Sequence, residues 1–470
     1  SRARSNEAQS MSTSLIRTAL ESATDTKDIV FGHGVLDQTG PMFARLFPGK
    51  EVLVVADENT FAAAGEGVVQ SLKDAGVPFA QEPYVFPGTP TLYAGYENVE
   101  ILREYIRPLE NAIVCSIASG TLNDIAKLAS GELGRPYMNV CTAPSVDGYA
   151  AFGASISKDG FKITRNCPAP VGLVADTEVI AAAPRRLLFT GYGDLIEKIP
   201  AGADWIVADE LGIEPIDPYV WSLVQGPLRA SLDNPAAIGN GDEEAITGLA
   251  EGHIMSGLAM QAAQSSRPAS GAGHQFSHTW EMEGHGLDWE PPLSHGMKVG
   301  VGTVASLAIW EEALKIDMDA LDVEAIVAAA KTDEQIEERV RSLLIPTIAD
   351  EAVGHAVFKN LQGDELRQRI QDIQRVWPSV RARVESQLMS PEEAAERLDA
   401  VGGPSHPEQI GVDMDRFRET HFKAQMIRSR YTILDVLTDI GKLDDVVDKL
   451  FAPDGYWGKH FHADKEISNV

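Results

Sequence analysis

Short apolar runs alternate with amphipathic stretches over residues 28–183. The strand candidates are 51–57, 111–117 and 136–141, with another after Pro78, and the helix candidates are 61–75 and 122–129. Alternation of strand, turn and helix is typical of a mostly parallel sheet covered by helices. The pattern therefore predicts an α/β domain over 28–183, preceded by an N-terminal lead over 1–27.

The strand signals fade after residue 183, and helical spacing takes their place. The stretches with this spacing are 185–199, 242–264, 304–315, 322–341, 364–386 and 421–450. Pro184 is expected to open the first of these helices and Pro200 to close it. We therefore expect an all-helical second domain over 184–470.

Length and charge narrow the possible functions. A chain of 470 residues is long enough for two domains. Its net charge of −29 argues against a nucleic-acid partner, because phosphates need a basic surface. No apolar run reaches the roughly 18 residues of a membrane span, and no apolar region of a secretory signal follows the N-terminal arginines. Cys115, Cys141 and Cys167 lie in or beside apolar runs, which favours reduced thiols in a cytoplasmic protein.

One carboxylate and three imidazoles stand in glycine-containing segments of the second half. His274 and His278 are four residues apart and would share one face of a helix, and His295 follows them. Gly191-Tyr-Gly-Asp194 is expected to close a turn, with Asp194 projecting from a helix start. Such side chains can form a three-ligand metal site with an open position. A simple helix cap at Asp194 and ordinary surface or core histidines are the alternatives, and spacing does not say which of the paired histidines would bind metal.

Small residues follow two of the predicted strands, where a phosphate can approach the backbone. Ala118-Ser-Gly-Thr121 opens a helix whose first N–H groups could hold a pyrophosphate, although an ordinary tight turn fits equally well. Asp57 ends a strand and could bind a ribose diol or cap the next helix. The loop from Thr142 to Asp147 can present hydroxyls and one carboxylate. The order of these segments predicts a nucleotide site.

Six motifs in order carry a resemblance to a known family. They are Ser-Gly-Thr-Leu-Asn-Asp (119–124), Thr-Ala-Pro-Ser-Val-Asp-Gly-Tyr-Ala (142–150), Gly-Tyr-Gly-Asp-Leu (191–195), Ser-Arg-Pro-Ala-Ser-Gly-Ala-Gly-His (266–274), Phe-Ser-His (276–278) and His-Gly-Met-Lys-Val-Gly-Val-Gly-Thr (295–303). With them the chain resembles the sn-glycerol-1-phosphate dehydrogenases of the dehydroquinate synthase-like and iron-containing alcohol dehydrogenase superfamily. The resemblance implies a Rossmann-like nucleotide-binding domain, a helical metal and substrate domain, and a homodimer or larger homo-oligomer.

The resemblance also implies roles by position. Asp194, His274 and His295 resemble the ligands of one divalent metal ion, and this set suits zinc, nickel or iron. His278 and Asp147 resemble substrate contacts beside Asp194, and His278 could relay a proton. The residues that resemble the NAD(P) contacts are Asp57, Ser119, Gly120, Thr121, Leu122, Asn123, Asp124, Thr142, Ala143, Pro144 and Ser145.

Four positions depart from the family's pattern. Ala118 replaces the first glycine of the pyrophosphate loop, and Ala151 stands where a hydroxyl residue often contacts cofactor. Gly273 replaces the glutamate that usually precedes His274, and Met297 replaces another acid. Because acids beside a ligand histidine orient it, a looser arrangement around the metal is expected here.

The implied reaction is the reversible NAD(P)H-dependent reduction of dihydroxyacetone phosphate to sn-glycerol 1-phosphate. Asp57 would repel a 2′-phosphate and so favours NAD over NADP. Arg267, Lys298 and Lys198 are candidate cations for the substrate phosphate. Lipid headgroup supply and polyol metabolism fit equally. Three alternatives stay open: another polyol or polyol-phosphate dehydrogenase, a dehydroquinate synthase-like cyclase, and a binding protein that kept the fold without catalysis.

Overall fold

The computed structural model of the chain describes residues 14–159 and 161–467. Residues 14–20 form a helix, α1, in which Ile16 and Ala19 are buried. This helix belongs to the predicted N-terminal lead, whose residues 1–13 lie outside the described ones. None of the described helices is both long and apolar enough to cross a membrane.

Six strands form one fully parallel sheet, in the order β1-β8-β5-β4-β2-β3. The strands are β1 (Asp28–Gly32), β2 (Glu51–Asp57), β3 (Tyr84–Phe86), β4 (Ala112–Ala118), β5 (Tyr137–Cys141) and β8 (Gly172–Asp176). Strands β2, β4 and β5 coincide with the runs that the hydrophobic pattern marked. The predicted parallel α/β domain is confirmed.

The sheet is buried on both faces. Successive side chains of β2 point to opposite faces and therefore belong to two different hydrophobic clusters. Leu53 and Val55 belong to one hydrophobic cluster. Val52, Val54 and Ala56 belong to the other. A strand buried on both sides has no polar face, and this explains why these strands are continuous apolar runs in the sequence.

The helices of the first half flank this sheet, and a small antiparallel hairpin accompanies it. The helices are α2 (Thr39–Leu46), α3 (Glu58–Asp74), α4 (Tyr96–Ile106), α5 (Gly120–Glu132) and α6 (Thr177–Ala181). The hairpin joins β6 (Ala154–Lys158) to β7 (Phe161–Arg165). The hydrophobic pattern does not predict this hairpin, because polar residues occupy most of its positions.

After residue 184 the described chain is helical, so the predicted change of architecture is confirmed. The helices are α7 (Arg185–Ile196), α8 (Lys198–Glu210), α9 (Pro218–Ser231), α10 (Pro235–Gly239), α11 (Glu243–Ala263), α12 (Ala272–Met282), α13 (His295–Ala313), α14 (Val323–Ala328), α15 (Asp333–Leu343), α16 (Pro346–Lys359), α17 (Gly363–Gln387), α18 (Pro391–Val401), α19 (Met414–Met426), α20 (Ile433–Asp439), α21 (Leu443–Phe451) and α22 (Tyr456–Lys459).

Several predicted helix limits were wrong. Pro200 does not end a helix, because it lies in the first turn of α8, where its missing N–H has no intrahelical partner to lose. The stretch 322–341 is divided between α14 and α15, and α15 begins at a capping box formed by Thr332 and Gln335. The stretch 421–450 is likewise interrupted, since Thr432 caps a new helix within it. Polar capping residues inside a periodic pattern were the signal that was overlooked.

Packing divides the chain into two compact units that do not follow a single boundary along the sequence. Of the described residues, the first unit contains those up to 195, 219–266 and 286–296, and the second contains 196–218, 267–285 and those from 297 onward. The first unit holds the sheet. The second has a hydrophobic cluster of its own that includes Met282, Val340, Ile348 and Ile427.

Candidate active site

Asp194 lies inside a helix rather than at a turn, which corrects the sequence prediction. It occupies the last turn of α7 and is fully buried. The glycine at 191 serves close packing, because a Cβ there would overlap the Pro144 carbonyl oxygen. The Gly191 carbonyl in turn lies 2.8 Å from Nε2 of His253. Gly191 therefore brings the loop after β5 against the helix that carries Asp194.

His295 reaches Asp194 through a second close approach. It is the first residue of α13, and Ser294 just before it shares a 2.8 Å hydrogen bond with Thr190. A Cβ at Gly296 would overlap the Thr190 carbonyl oxygen, so only glycine permits this approach. His295 Nε2 consequently lies 3.5 Å from Asp194 Oδ1.

His274 stands in the first turn of α12, where a buried acid holds its ring. Its Nδ1 lies 2.8 Å from Oε2 of Glu197, a residue with no exposed surface. The other oxygen of Glu197 accepts the N–H of Gly271 at 3.1 Å. With Nδ1 bonded to a carboxylate, the proton belongs on Nδ1 and the lone pair on Nε2.

Asp194, His274 and His295 each offer one ligand atom, and these atoms all lie within 4.8 Å of one another. The structure thus brings together the three residues that the resemblance assigns to a metal ion. The donor set fits a divalent transition metal, because one carboxylate and two imidazoles are common ligands of such ions and leave a coordination position open. The Glu197–His274 contact fits as well, since metal-bound histidines usually donate their second ring N–H to a carboxylate or carbonyl.

A second buried acid, Asp204, secures the same helix start, and neither Asp204 nor Glu197 was singled out from the sequence. Asp204 accepts the N–H of Ala272 at 2.8 Å, that of Ile433 at 3.0 Å and Nε1 of Trp310 at 3.1 Å. Burial raises its pKa to about 7. The two acids are seven residues apart in an apolar stretch, two helical turns that place them on one face. That spacing was the available signal.

His278, the other member of the histidine pair, lies one turn further along α12. Its ring centre is 6.0 Å from that of His274, and its Nδ1 is 3.8 Å from Oε2 of Glu281. Burial is the main cause that lowers the pKa of His278 to about 3, and the charge of Arg428 lowers it further. The imidazole is therefore neutral at neutral pH. Arg428 is a half-buried cation.

Asp147 is placed close to Asp194 by the loop after β5. Its backbone N–H donates to Oδ2 of Asp194 at 3.4 Å, and its own carboxylate accepts the hydroxyl of Ser256 at 3.1 Å. The fully buried ammonium of Lys127 fixes the loop that follows. It donates to the carbonyls of Gly148, Ala151 and Gly153 at 2.7, 2.8 and 3.0 Å. Ala151 thus contributes a carbonyl to this anchor.

The candidate nucleotide contacts follow three neighbouring strands. Asp57 ends β2, the segment 119–124 follows β4 and the segment 142–145 follows β5. Because these strands are parallel and adjacent, all three segments lie at the carboxyl edge of the sheet, where ligands of such sheets bind. At Gly120 a Cβ would lie 2.9 Å from Val146 Cγ2, so a side chain would crowd this turn.

Not all of these side chains face that edge. Leu122 is fully buried in the hydrophobic core, and Asn123 accepts the Tyr137 hydroxyl at 2.7 Å. Ala118 is also in the core, so its methyl group adds to packing rather than to the turn. Asp57 caps α3 by accepting the N–H of Thr60 at 2.8 Å. Burial raises the pKa of Asp124 to about 6.

The three cations that the sequence suggested for a substrate phosphate have buried side chains. Met297, which replaces an acid of the family pattern, is buried as well. Arg267 donates to the carbonyls of Tyr431 and Asp204 at 2.8 and 2.7 Å. Lys298 lies 3.9 Å from Glu281 Oε1, and Lys198 is fully enclosed in α8. Cys115, Cys141 and Cys167 are free and buried, as predicted.

Comparison with known proteins agrees with this geometry. Residues 30–184 match the model of the iron-containing alcohol dehydrogenase family. A glycerol-1-phosphate dehydrogenase [NAD(P)+] of Halalkalibacterium halodurans is 36% identical over 260 residues, which cover 55% of this chain and 65% of that relative. One of the same name from Methanosarcina mazei is 34% identical over 292 residues, or 61% and 78% of the two chains.

Solved structures extend the likeness of fold over almost the whole chain. A crystal structure of glycerol dehydrogenase from Schizosaccharomyces pombe superposes with a TM-score of 0.56 at 15% identity. The superposition covers 95% of this chain and 94% of that one. At this identity the match establishes the fold.

Proposed function

Because the chain belongs to the glycerol-1-phosphate dehydrogenase family of the iron-containing alcohol dehydrogenase superfamily, we propose that it reduces dihydroxyacetone phosphate reversibly to sn-glycerol 1-phosphate with NAD(P)H. The observation that carries the proposal is the group of Asp194, His274 and His295, whose ligand atoms lie within 4.8 Å of one another.

Asp194, His274 and His295 are proposed to hold one divalent ion, zinc, nickel or iron. When bound, the ion supplies Lewis acidity at the substrate oxygen and the nicotinamide supplies the hydride. The residues around them fix the ligands in place. Glu197 sets the ring of His274, and the close approach at Gly296 sets His295 against Asp194.

His278 and Asp147 are proposed to contact the reacting end of the substrate. His278 is neutral at neutral pH, so one ring nitrogen donates and the other accepts, as a proton relay to the substrate oxygen requires. Asp147 is held by Ser256 and by its own backbone contact to Asp194. It would accept a hydrogen bond from a substrate hydroxyl.

Arg428 is proposed as the cation for the substrate phosphate. Its charge acts on His278, and its guanidinium lies 3.8 Å from Sδ of Met282, the last residue of α12, while it donates to the Ile427 carbonyl at 2.9 Å. The earlier candidates Arg267, Lys198 and Lys298 are buried. A guanidinium suits a phosphate because it can donate two parallel hydrogen bonds.

The carboxyl edge of the sheet is proposed to bind the nicotinamide cofactor. The N-terminus of α5 at Gly120 offers N–H groups to the pyrophosphate, and the segment 142–145 offers backbone groups nearby. The carboxylate of Asp57 favours NAD, because it would repel the 2′-phosphate of NADP. Reduced buried cysteines suit a cytoplasmic enzyme, and we propose a homodimer or larger homo-oligomer by analogy with the family.

The test is oxidation of NADH with dihydroxyacetone phosphate by chelator-treated protein, before and after separate additions of zinc, nickel and iron(II). We expect turnover only with metal, and sn-glycerol 1-phosphate as the product in a stereospecific enzymatic assay. D194A is the matched variant and should neither bind metal nor turn over.

Other outcomes distinguish the alternatives. Metal binding without turnover of dihydroxyacetone phosphate would discard this substrate and direct the search to other polyols. A product formed without net NADH oxidation would indicate a cyclase. Cofactor binding without any turnover would indicate a binding protein.

A further inference from the structure

A single buried acid connects a proposed metal ligand to the start of the helix that carries it. Glu197 is the residue that joins α7 to α8, and it has no exposed surface. One of its oxygens lies 2.8 Å from His274 Nδ1, and the other accepts the Gly271 N–H at 3.1 Å. Both oxygens therefore act on the first turn of α12.

Gly273, the residue before His274, leaves room for the Glu197 side chain because it has no Cβ. A Cβ at Gly273 would lie 2.7 Å from Glu197 Cγ and 3.0 Å from its Oε1. Any side chain at 273 would thus occupy the space that Glu197 fills. The Gly302 carbonyl carbon, 3.2 Å from the same point, closes the other side.

The start of α12 depends on two acids, Glu197 at the junction of α7 and α8 and Asp204 in α8. Gly271, the N-cap of α12, has no side chain to cap the helix. Glu197 accepts the Gly271 N–H, and Asp204 accepts the Ala272 N–H at 2.8 Å. Asp204 also accepts the Ile433 N–H and Nε1–H of Trp310, so it caps α12 from within the core while Glu197 reaches the His274 ring.

We propose that Glu197 is the positioning residue of the metal site, replacing the acid that is missing at position 273. By accepting from His274 Nδ1, Glu197 fixes the tautomer and the ring angle that present Nε2 to the ion. Gly273 and Glu197 then form a matched pair, in which the acid comes from the junction of α7 and α8 and the position beside the ligand is a glycine. The inference rests on the proposed metal site and names Glu197 as the residue that sets the affinity of this site for the ion.

The test measures zinc affinity directly, by competition with a chromophoric chelator, in metal-free wild type, E197Q and E197A. We expect E197A to bind zinc about 10- to 100-fold more weakly, the usual effect of losing such a partner. E197Q keeps the shape and one acceptor but not the charge, so its loss should be smaller. D439N is the control, because it alters another buried acid of the same unit that bonds Tyr431 instead.

The cobalt(II) absorption spectrum gives a readout that a purely structural role would not move. A shift of the ligand-field bands in E197Q, at unchanged circular dichroism, is expected because an uncharged amide accepts the His274 Nδ1–H more weakly than the carboxylate does and so lowers the donor strength of Nε2. If E197A does not fold, E197Q decides the question by the same two measurements.

The pairing has its own test in the E197A/G273E double variant. We expect G273E alone to weaken zinc binding by crowding Glu197, and the double variant to bind more tightly than either single variant. Additive losses would overturn the pairing.

Equal zinc affinity and equal spectra in wild type and both Glu197 variants would overturn the positioning role and leave the proposed function intact. Failure of the wild type to bind zinc, nickel or iron(II) would overturn both.

Discussion

The substitution D204N tests how the buried acid behind α12 sets the pH dependence of stability. Asp204 is fully buried and bonded only to uncharged N–H donors at the distances given above. Burial raises its pKa from an ordinary 3.8 to about 7, although its two backbone hydrogen bonds oppose the rise. Folded protein therefore binds a proton at Asp204 that unfolded protein releases.

The sign and size of the effect follow from proton linkage. Because the folded pKa is the higher one, the free energy of unfolding is greatest below about pH 4 and falls as the pH rises toward 7. Each pKa unit corresponds to about 1.4 kcal/mol. The ionisation of Asp204 should therefore lower the free energy of unfolding by about 3 kcal/mol between pH 5 and pH 8. D204N does not titrate, and it loses one N–H acceptor at a fixed cost of about 1–3 kcal/mol.

Urea unfolding of the metal-free protein, followed by circular dichroism at pH 5, 6, 7 and 8, measures the difference between wild type and D204N. Acids that do not interact with Asp204 contribute equally to both proteins and cancel. We expect the free energy of unfolding of wild type, relative to that of D204N, to fall by about 3 kcal/mol from pH 5 to pH 8. A D204N difference that stays constant from pH 5 to pH 8 would refute the reasoning.

Three further predictions concern the proposed chemistry. H278A should lower turnover by about 10²- to 10⁴-fold, the usual worth of a proton-transfer group, while metal analysis still finds a stoichiometric ion; loss of the ion would contradict this role. D57N keeps a good helix cap but removes the charge, so kcat/KM with NADPH relative to NADH should rise about tenfold, or about 1.4 kcal/mol, at an unchanged melting temperature. R428A should raise KM for dihydroxyacetone phosphate about tenfold or more, because a charge-assisted bond is worth about 1.5–3 kcal/mol. Unphosphorylated dihydroxyacetone should be unaffected by R428A, and an equal loss on both substrates would rule out a phosphate contact.

The fold could be predicted where burial leaves a simple pattern. The runs at 51–57, 111–117 and 136–141 are central strands buried on both faces, and their apolar character follows from that position. The short edge strand β3 and the polar hairpin β6–β7 have no comparable signature. Helix ends were predicted wrongly where one residue is compatible with two structures. Pro200, for example, can follow the end of a helix or lie in the first turn of one.

The candidate site could be predicted only as a set of residue types. Asp194 and the histidines were identified, but the glycines at 191 and 296 suggested turns, whereas each permits two backbones to touch. Such contacts join residues far apart in the sequence, so no local pattern reveals them. The partners Glu197 and Arg428 were missed for the same reason, since their roles depend on where His274 and His278 lie in space.

The junction of α7 and α8 limits how this protein can change in length. Asp194 and Glu197 are three residues apart, and the first is a proposed ligand while the second holds another. Each helical residue turns the chain by about 100°, so one inserted or deleted residue here would swing Glu197 away from His274 and Gly271. Exposed loops tolerate insertions because no buried contact depends on the direction in which each of their side chains points. Natural variants of this enzyme should therefore gain or lose residues elsewhere, and the spacing from 194 to 197 should be inherited unchanged.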